Sequence, residues 1–489
     1  MTRGCPPVLP PACGNPIIWR VRMATYKMII DGKSVDGAAT LDVINPANEQ
    51  IIASVARADA ALVDQAVQAA ARAFPAWAAR DIAERRNALL AIAADIETQA
   101  DELAGLITAE QGKTLREAAQ EVAYTVGLFR ALSSIDLPEE PELDDEEKRI
   151  IQYRTPLGVV AAIGPWNQPL LLLAVKLIPA LLVGCTVVLK PAPTTPLSGI
   201  RLAEICSGHL PAGVVNAIVD NNDLGETLTR HPLVAKISFT GSTATGKKVM
   251  ASAATSIKRV TLELGGNDAA IVLDDADPVE AARKIFAAAM ITSGQICFAV
   301  KRVYVHDSLY DSVSSELARL ADAATIGDGA NPETDYGPLQ NKAQFDRVLA
   351  LIEETRPVGS IIAGGTPHQG PGYFVRPTIV RDIDDSARLV REEQFGPVLP
   401  VLSFSDIDDV IRRANASEYG LGGTIWTGDW QRGIEIARKI DTGTVWINDH
   451  MAIHPLVATG GAKQSGIGRE LGVEGIREFT QGKVIWASK

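Results

Sequence analysis

The sequence has no framework of disulfides. Its 489 residues include five cysteines, Cys5, Cys13, Cys185, Cys206 and Cys297, an odd number, widely spaced and without a CxxC pair. This excludes a stapled scaffold and a zinc module, and it points to a reducing compartment, the cytoplasm. No metal site is expected. Positive charge is not in excess either: Lys and Arg total 47 against 59 Asp and Glu, a formal net charge of -12. A field of that sign repels polyphosphates and argues against nucleic acid or an anionic membrane as partner. Seven of the acids fall within residues 139–147, so part of this charge belongs to one segment. Long uninterrupted apolar runs are lacking as well. Residues 169–189, PLLLLAVKLIPALLVGCTVVL, are long enough for a bilayer but carry Lys176, Pro179 and Gly184, and read as a buried helix followed by a buried strand. The first 22 residues hold five prolines and three arginines, no acid, and no continuous apolar core of a signal peptide. They read as a disordered or artefactual extension, with Met23 opening the folded chain.

What remains is 46% hydrophobic and 22% charged, a globular composition long enough for two or three domains. From Asp59 to about Leu132 the apolar spacing is helical, with Asp81 as an N-cap and Gly112 as a terminator. Short β-branched runs at 157–163, 186–190, 214–219, 235–241 and 260–266 then alternate with helix-length segments, which predicts βαβ units and a parallel sheet covered on both faces. A second alternation, with strands at 269–275, 301–307, 376–380 and 443–449, predicts a second α/β domain. There is no internal repeat.

Four places carry candidate chemistry. Thr240, Gly241 and Ser242 open a strand-to-helix turn whose free N–H groups suit a pyrophosphate, although the loop is neither GxGxxG nor a complete GxxxxGK[ST] motif. Beside it the strand TVVLK ends in Lys190 with no acid near it in sequence. A lysine there donates to a ribose hydroxyl, pairs with a 2′-phosphate, or is merely solvated. Cys297 in SGQICF is either an inert small apolar residue or a nucleophile; Cys185 and Cys206 read as core. Glu263, at the end of an apolar strand, is a desolvated general base, a ribose ligand or a helix cap. Asn167, between prolines in GPWNQP, has an amide able to donate to an oxyanion.

In combination these are specific. GPWNQP (164–169), KPAPTTP (190–196), FTGSTATGKKV (239–249), LELGGND (262–268), GQIC (294–297), EEQFGPV (392–398) and GGAKQSGIGRE (460–470), in this order, resemble the aldehyde dehydrogenase superfamily over residues 28–487. The resemblance implies an α/β architecture. A Rossmann-like parallel-sheet cofactor domain would comprise residues 23–137 and 156–262, an α/β catalytic domain residues 263–471, and a small β oligomerisation domain residues 138–155 and 472–489, making a homodimer or homotetramer. It implies oxidation of an aldehyde with NAD, or NADP, as hydride acceptor. By position, Cys297 matches the nucleophile, Asn167 the oxyanion donor, Glu263 the base, Glu470 a second carboxylate and Lys176 the lysine supporting both. On the cofactor side Lys190 matches the adenosine-ribose ligand, Thr240, Gly241 and Ser242 the pyrophosphate turn, and Glu393 with Phe395 the nicotinamide end; Ile163, Trp166, Pro193, Gly225 and Leu264 belong to the same set.

Three departures bear on specificity. Pro193 stands where the family often has a glutamate that favours NAD, so both that attraction and the repulsion of a 2′-phosphate are lost, with NAD still the expected cofactor. Ala458-Thr459 replaces a common Pro-Phe, and Gln168 follows Asn167 where an aromatic is frequent. The substrate tunnel assembled from the matching positions is Gln168, Leu171, Leu172, Val175, Ile296, Phe298, His450, His454 and Thr459, which predicts a medium-sized hydrophobic or aromatic aldehyde. It has no aromatic cage for a quaternary ammonium and no arginine for a distal carboxylate. Two other readings stand beside this one. In the first, the acyl group passes to coenzyme A, against which the presence of Glu263 argues; in the second, the chain is a silent structural relative, against which Cys297, Glu263 and Asn167 argue together.

Overall fold

A computed structural model describes residues 25–137, 142–366 and 370–489. The expected extension over residues 1–22 lies outside them, as do the first two acids of the 139–147 run.

The N-terminal segment forms β1 (Thr25–Tyr26), β2 (Met28–Ile30), β3 (Lys33–Val35), β4 (Ala39–Ile44) and β5 (Ile51–Arg57). β1, β5 and β4 make a small sheet, and β2 and β3 extend a larger one. The helical stretch is four helices, α1 (Ala60–Ala78), α2 (Ile82–Thr98), α3 (Ala100–Gln111) and α4 (Leu115–Ser133). Gly112 does end α3, in the left-handed conformation. Asp81 precedes α2 but its side chain caps nothing. The capping falls instead to Asp59 on α1 and to Thr114 on α4, the latter in a reciprocal box with Glu117.

After β6 (Glu142–Asp144) and β7 (Lys148–Pro156) come β8 (Val159–Ile163), α5 (Leu171–Val183), β9 (Thr186–Lys190), α6 (Leu197–His209), β10 (Val215–Ala217), α7 (Gly225–Arg230), β11 (Val234–Thr240), α8 (Thr243–Ala254) and β12 (Arg259–Glu263). The five strands β8 to β12 pair in parallel in the order β12-β11-β8-β9-β10. This is the doubly wound order, whose strand direction of travel reverses between β8 and β11 and opens a crevice at their C-terminal ends. The apolar stretch 169–189 is α5 and β9, both buried, and among the described residues no helix is long and apolar enough to cross a membrane.

The second sheet uses β13 (Asp268–Val272), α9 (Pro278–Met290), β14 (Val300–His306), β15 (Ser360–Ala363), β16 (Thr378–Arg381), β17 (Val398–Phe404), β19 (Gly422–Trp426) and β20 (Thr444–Ile447), in the order β15-β16-β17-β14-β13-β19-β20. Only its β15 edge is antiparallel. Short β18 (Tyr419–Gly420) pairs with β21 (Ala462–Lys463), and β22 (Gly466–Ile467) returns to β12 in the first sheet, carrying the C-terminal loop across to it. Each large sheet has apolar clusters on both faces, as buried parallel strands require. The chain ends in β23 (Thr480–Ser488), which pairs antiparallel with β7 over nine residues, from Thr480 with Pro156 to Ser488 with Lys148, making a three-stranded sheet with β6.

Candidate active site

The crevice at the switch point is a cavity of about 1010 Å³. All eleven residues matched to the cofactor line it: Ile163, Trp166, Lys190, Pro193, Gly225, Thr240, Gly241, Ser242, Leu264, Glu393 and Phe395. Asn167 and Cys297 line it too, so residues 130 positions apart share one space. The strand ends explain the convergence. β8, β9, β11 and β12 finish at Ile163, Lys190, Thr240 and Glu263, and Ser242 caps α8 by accepting the N–H of Thr245 at 3.3 Å.

Lys190 is not a solvated lysine, and it does not lack an acid. Its Nζ lies 2.5 Å from Asp220 Oδ1, and both side chains are buried. Asp220, just beyond β10, is fully buried, and its Oδ2 accepts Leu224 N at 2.9 Å, so it holds Lys190 from behind the cavity wall; thirty positions of sequence hid it. At the other end of the cavity Trp166 meets Phe395 edge to face, with ring centroids 5.2 Å apart. Gly266 N donates to Glu393 Oε1 at 3.0 Å. The paired glycines of LELGGND have a steric reason. A Cβ on Gly265 would stand 2.4 Å from Glu393 Oε2, and one on Gly266 would stand 2.5 Å from the carbonyl oxygen of Cys297.

Cys297 follows a turn of residues 291–294 and precedes β14. Burial pushes its thiol up to about 12, opposed by the Lys301 ammonium and reinforced by Glu393 and Glu263. Burial likewise pushes Cys185 to about 11 and Cys206 to about 12, and neither lines this cavity. Asn167 is buried, and its Nδ2 donates to Gln295 O at 2.8 Å, leaving the second amide hydrogen available. Glu263 ends β12 with Oε1 buried and without a partner. Burial first, and then the Glu470 carboxylate, raise it well above the ordinary carboxylate range, while Lys176 pulls it down. Lys176, fully buried in α5, donates from Nζ to Thr240 Oγ1 at 2.6 Å and to Glu470 Oε1 at 2.7 Å. Lys176 and Glu470 are thus joined by a hydrogen bond, and both act on Glu263 through their charge.

The nine tunnel positions do not line this cavity. Leu171, Leu172 and Val175 pack along α5 against the first sheet's core, and Gln168 is half-buried beside them. Ile296 is buried, and Phe298 meets Trp446 edge to face at 5.6 Å. His450 is buried with Nε2 on the carbonyl of Phe298 at 2.5 Å, and burial holds it down at about 4, a neutral ring. His454 is exposed, and Thr459 is joined through its backbone to Glu470. The sequence reading missed Asp220, Trp446 and Lys301. Lys301 is fully buried, its Nζ 5.6 Å from the centre of the Phe395 ring and bonded to the carbonyl of Ile296. A lysine set among apolar neighbours, FAVKRVYV, was the available signal.

Comparison with known proteins agrees with the geometry. The model of the aldehyde dehydrogenase family matches residues 34–485. A mitochondrial aldehyde dehydrogenase of Leishmania tarentolae is 41% identical over 468 residues, covering 94% of each chain. A phenylacetaldehyde dehydrogenase of Pseudomonas fluorescens is 40% identical over 474 residues, 93% of this chain and 94% of that one. The NAD+ complex of an aldehyde dehydrogenase from Bacillus cereus superposes with a TM-score of 0.92 at 39% identity, covering 95% of this chain and 96% of the other. With the fold, the cavity and these matches in agreement over nearly the whole sequence, the chain belongs to the aldehyde dehydrogenase family and is an oxidoreductase.

Proposed function

We propose that the chain oxidises a medium-sized hydrophobic or aromatic aldehyde to the carboxylic acid through covalent attachment to Cys297, with NAD as the favoured hydride acceptor. The observation that carries this reading is the single cavity shared by Asn167, Cys297, Glu393, Thr240 and Lys190.

The residues fit a nicotinamide dinucleotide. The capped start of α8 offers N–H groups to a pyrophosphate, Lys190, held by Asp220, offers a donor to a ribose hydroxyl, and Glu393 offers a carboxylate at the far end. Pro193 neither attracts the ribose nor repels a 2′-phosphate, so NADP is admitted with less discrimination. When bound, the nicotinamide supplies the acceptor for a hydride.

The resting site is uncharged at sulfur, because burial holds the Cys297 thiol protonated. Attack therefore needs a base, and Glu263, whose carboxylate has no other partner on Oε1, accepts that proton. The sulfur adds to the carbonyl carbon, and the free Asn167 N–H and the Cys297 backbone N–H donate to the oxygen as it gains charge. Loss of hydride from the carbon leaves an acyl thioester on Sγ. Glu263 passes its first proton to solvent and then takes one from water, the hydroxide adds, the C–S bond breaks, the acid leaves, and the sulfur regains a proton from Glu263. Lys176 holds Glu470 and tempers Glu263 throughout.

For the substrate, support comes from the phenylacetaldehyde dehydrogenase relative. The test is reduced-nicotinamide absorbance with aliphatic, aromatic and ω-carboxy aldehydes, run with NAD and NADP in parallel. Cys297→Ala should abolish the signal while leaving fold and cofactor binding intact. Undiminished oxidation in that variant would sink the cysteine mechanism, and a preference for ω-carboxy aldehydes would sink the substrate class. We further propose a homo-oligomer, built through the β6-β7-β23 sheet, in the cytoplasm.

A further inference from the structure

The turn before the nucleophile is held in an unfavourable backbone conformation. Thr292 (φ 50°, ψ 37°) and Ser293 (φ 55°, ψ 39°) are both left-handed, and Gly294 follows at φ 74°. A left-handed non-glycine residue is unfavourable, and a β-branched threonine is among the worst placed. Something outside the turn must hold it. Thr292 N donates to Glu117 Oε1 at 2.7 Å, a charge-assisted bond, while Glu117 Oε2 accepts from Thr114 N at 3.0 Å and Thr114 Oγ1 at 2.9 Å. One carboxylate serves two elements, the cap of α4 and the nucleophile turn.

The same helix end reaches the other half of the site. Lys113 Nζ donates to Asn167 O at 2.8 Å and to Glu121 Oε2 at 2.6 Å, both side chains buried. Glu121 Oε1 accepts Leu170 N at 3.0 Å and Leu171 N at 3.2 Å, at the start of α5. Asn167 Nδ2 closes the ring on Gln295 O at 2.8 Å. Glu117 and Glu121 are four residues apart and share one face of α4, and Lys113, just before the helix, reaches back to Glu121.

We propose that Glu117 is a positioning residue for Cys297, and that Lys113 and Glu121 are its counterparts for Asn167, so that the start of α4 sets the spacing between nucleophile and oxyanion donor. This rests on the reading of Cys297 as the nucleophile.

Glu117→Gln tests it, because glutamine keeps an oxygen for the cap but turns its amide against the Thr292 N–H or the cap itself. The expected result is a pre-steady-state burst of reduced nicotinamide slowed about tenfold or more, with cofactor dissociation constant and thermal midpoint near wild type. Adding Thr292→Gly, which takes the left-handed conformation without help, should restore much of the burst rate. An unchanged burst in Glu117→Gln, or no recovery in the double variant, overturns the proposal. If Glu117→Gln does not fold, Lys113→Met with Glu121→Gln reads the second arm, and a burst at the wild-type rate there overturns it. Cys297→Ala measured alongside separates the two levels: turnover without Cys297 defeats the nucleophile reading, whereas a burst that needs Cys297 and ignores Glu117 defeats only the proposal.

Discussion

At the scale of single residues, the site is a set of buried groups held away from their ordinary protonation. Glu263 works as a base only when ionised, and its pKa lies above the usual carboxylate range. Steady-state turnover should therefore fall as pH is lowered through that raised value, at higher pH than an exposed glutamate would give. Lys176 lowers the Glu263 pKa, so Lys176→Met should move this limb further up the pH scale. Glu263→Gln should remove the limb and cut turnover by about 10²- to 10⁴-fold, slowing the burst as well because the same carboxylate takes the thiol proton, and turnover flat from about pH 6 to 9 in the native chain would contradict the assignment. Cys297, Glu263 and Asn167 were legible in the sequence because short motifs carry them. Lys301 and Asp220 were not, since their roles come from what burial and distant strands bring beside them.

At the scale of elements, the joints are made by buried carboxylates that leave little trace in sequence. Glu110, in the last turn of α3, accepts Leu197 N at 2.6 Å, Ser198 N at 3.0 Å and Ser198 Oγ at 2.6 Å, and so caps α6 from another helix. Burial pushes it up to about 7. Its folded pKa is raised, so the unfolded chain ionises first. Its contribution to stability is full below about 4.5 and declines as pH rises towards 7. Glu110→Ala strands two buried N–H donors and should cost about 2 kcal/mol or more, measured by chemical unfolding. Glu110→Gln should flatten the decline with pH. A native-like midpoint for Glu110→Ala would show that the cap is dispensable. The β-branched strands were readable because parallel strands are buried on both faces. β17 and β19 escaped notice since Pro400 breaks one run and paired glycines open the other.

At the scale of the whole molecule, β23 is an edge strand with Val484 58%, Ile485 43% and Trp486 64% exposed, and Leu143 on the opposite edge strand β6 is 64% exposed. An apolar edge of this kind is ordinarily covered. Val484→Lys with Trp486→Lys should convert the proposed oligomer to monomer in light scattering behind size exclusion, and a monomeric native chain would refute that proposal. The sequence by itself determined the family and the two alternating α/β patterns and named the side chains proposed to react, because local periodicity and short motifs encode them. Only the tertiary structure decided which residues meet. The pairing of β9 with β10 brings Lys190 to Asp220, and β22 crossing to β12 brings Glu470 to Lys176. The start of α4 brings Glu117 to a strained turn 175 residues away. The reason is physical: distance in a closed fold is set by sheet order and burial, which no single stretch of sequence contains.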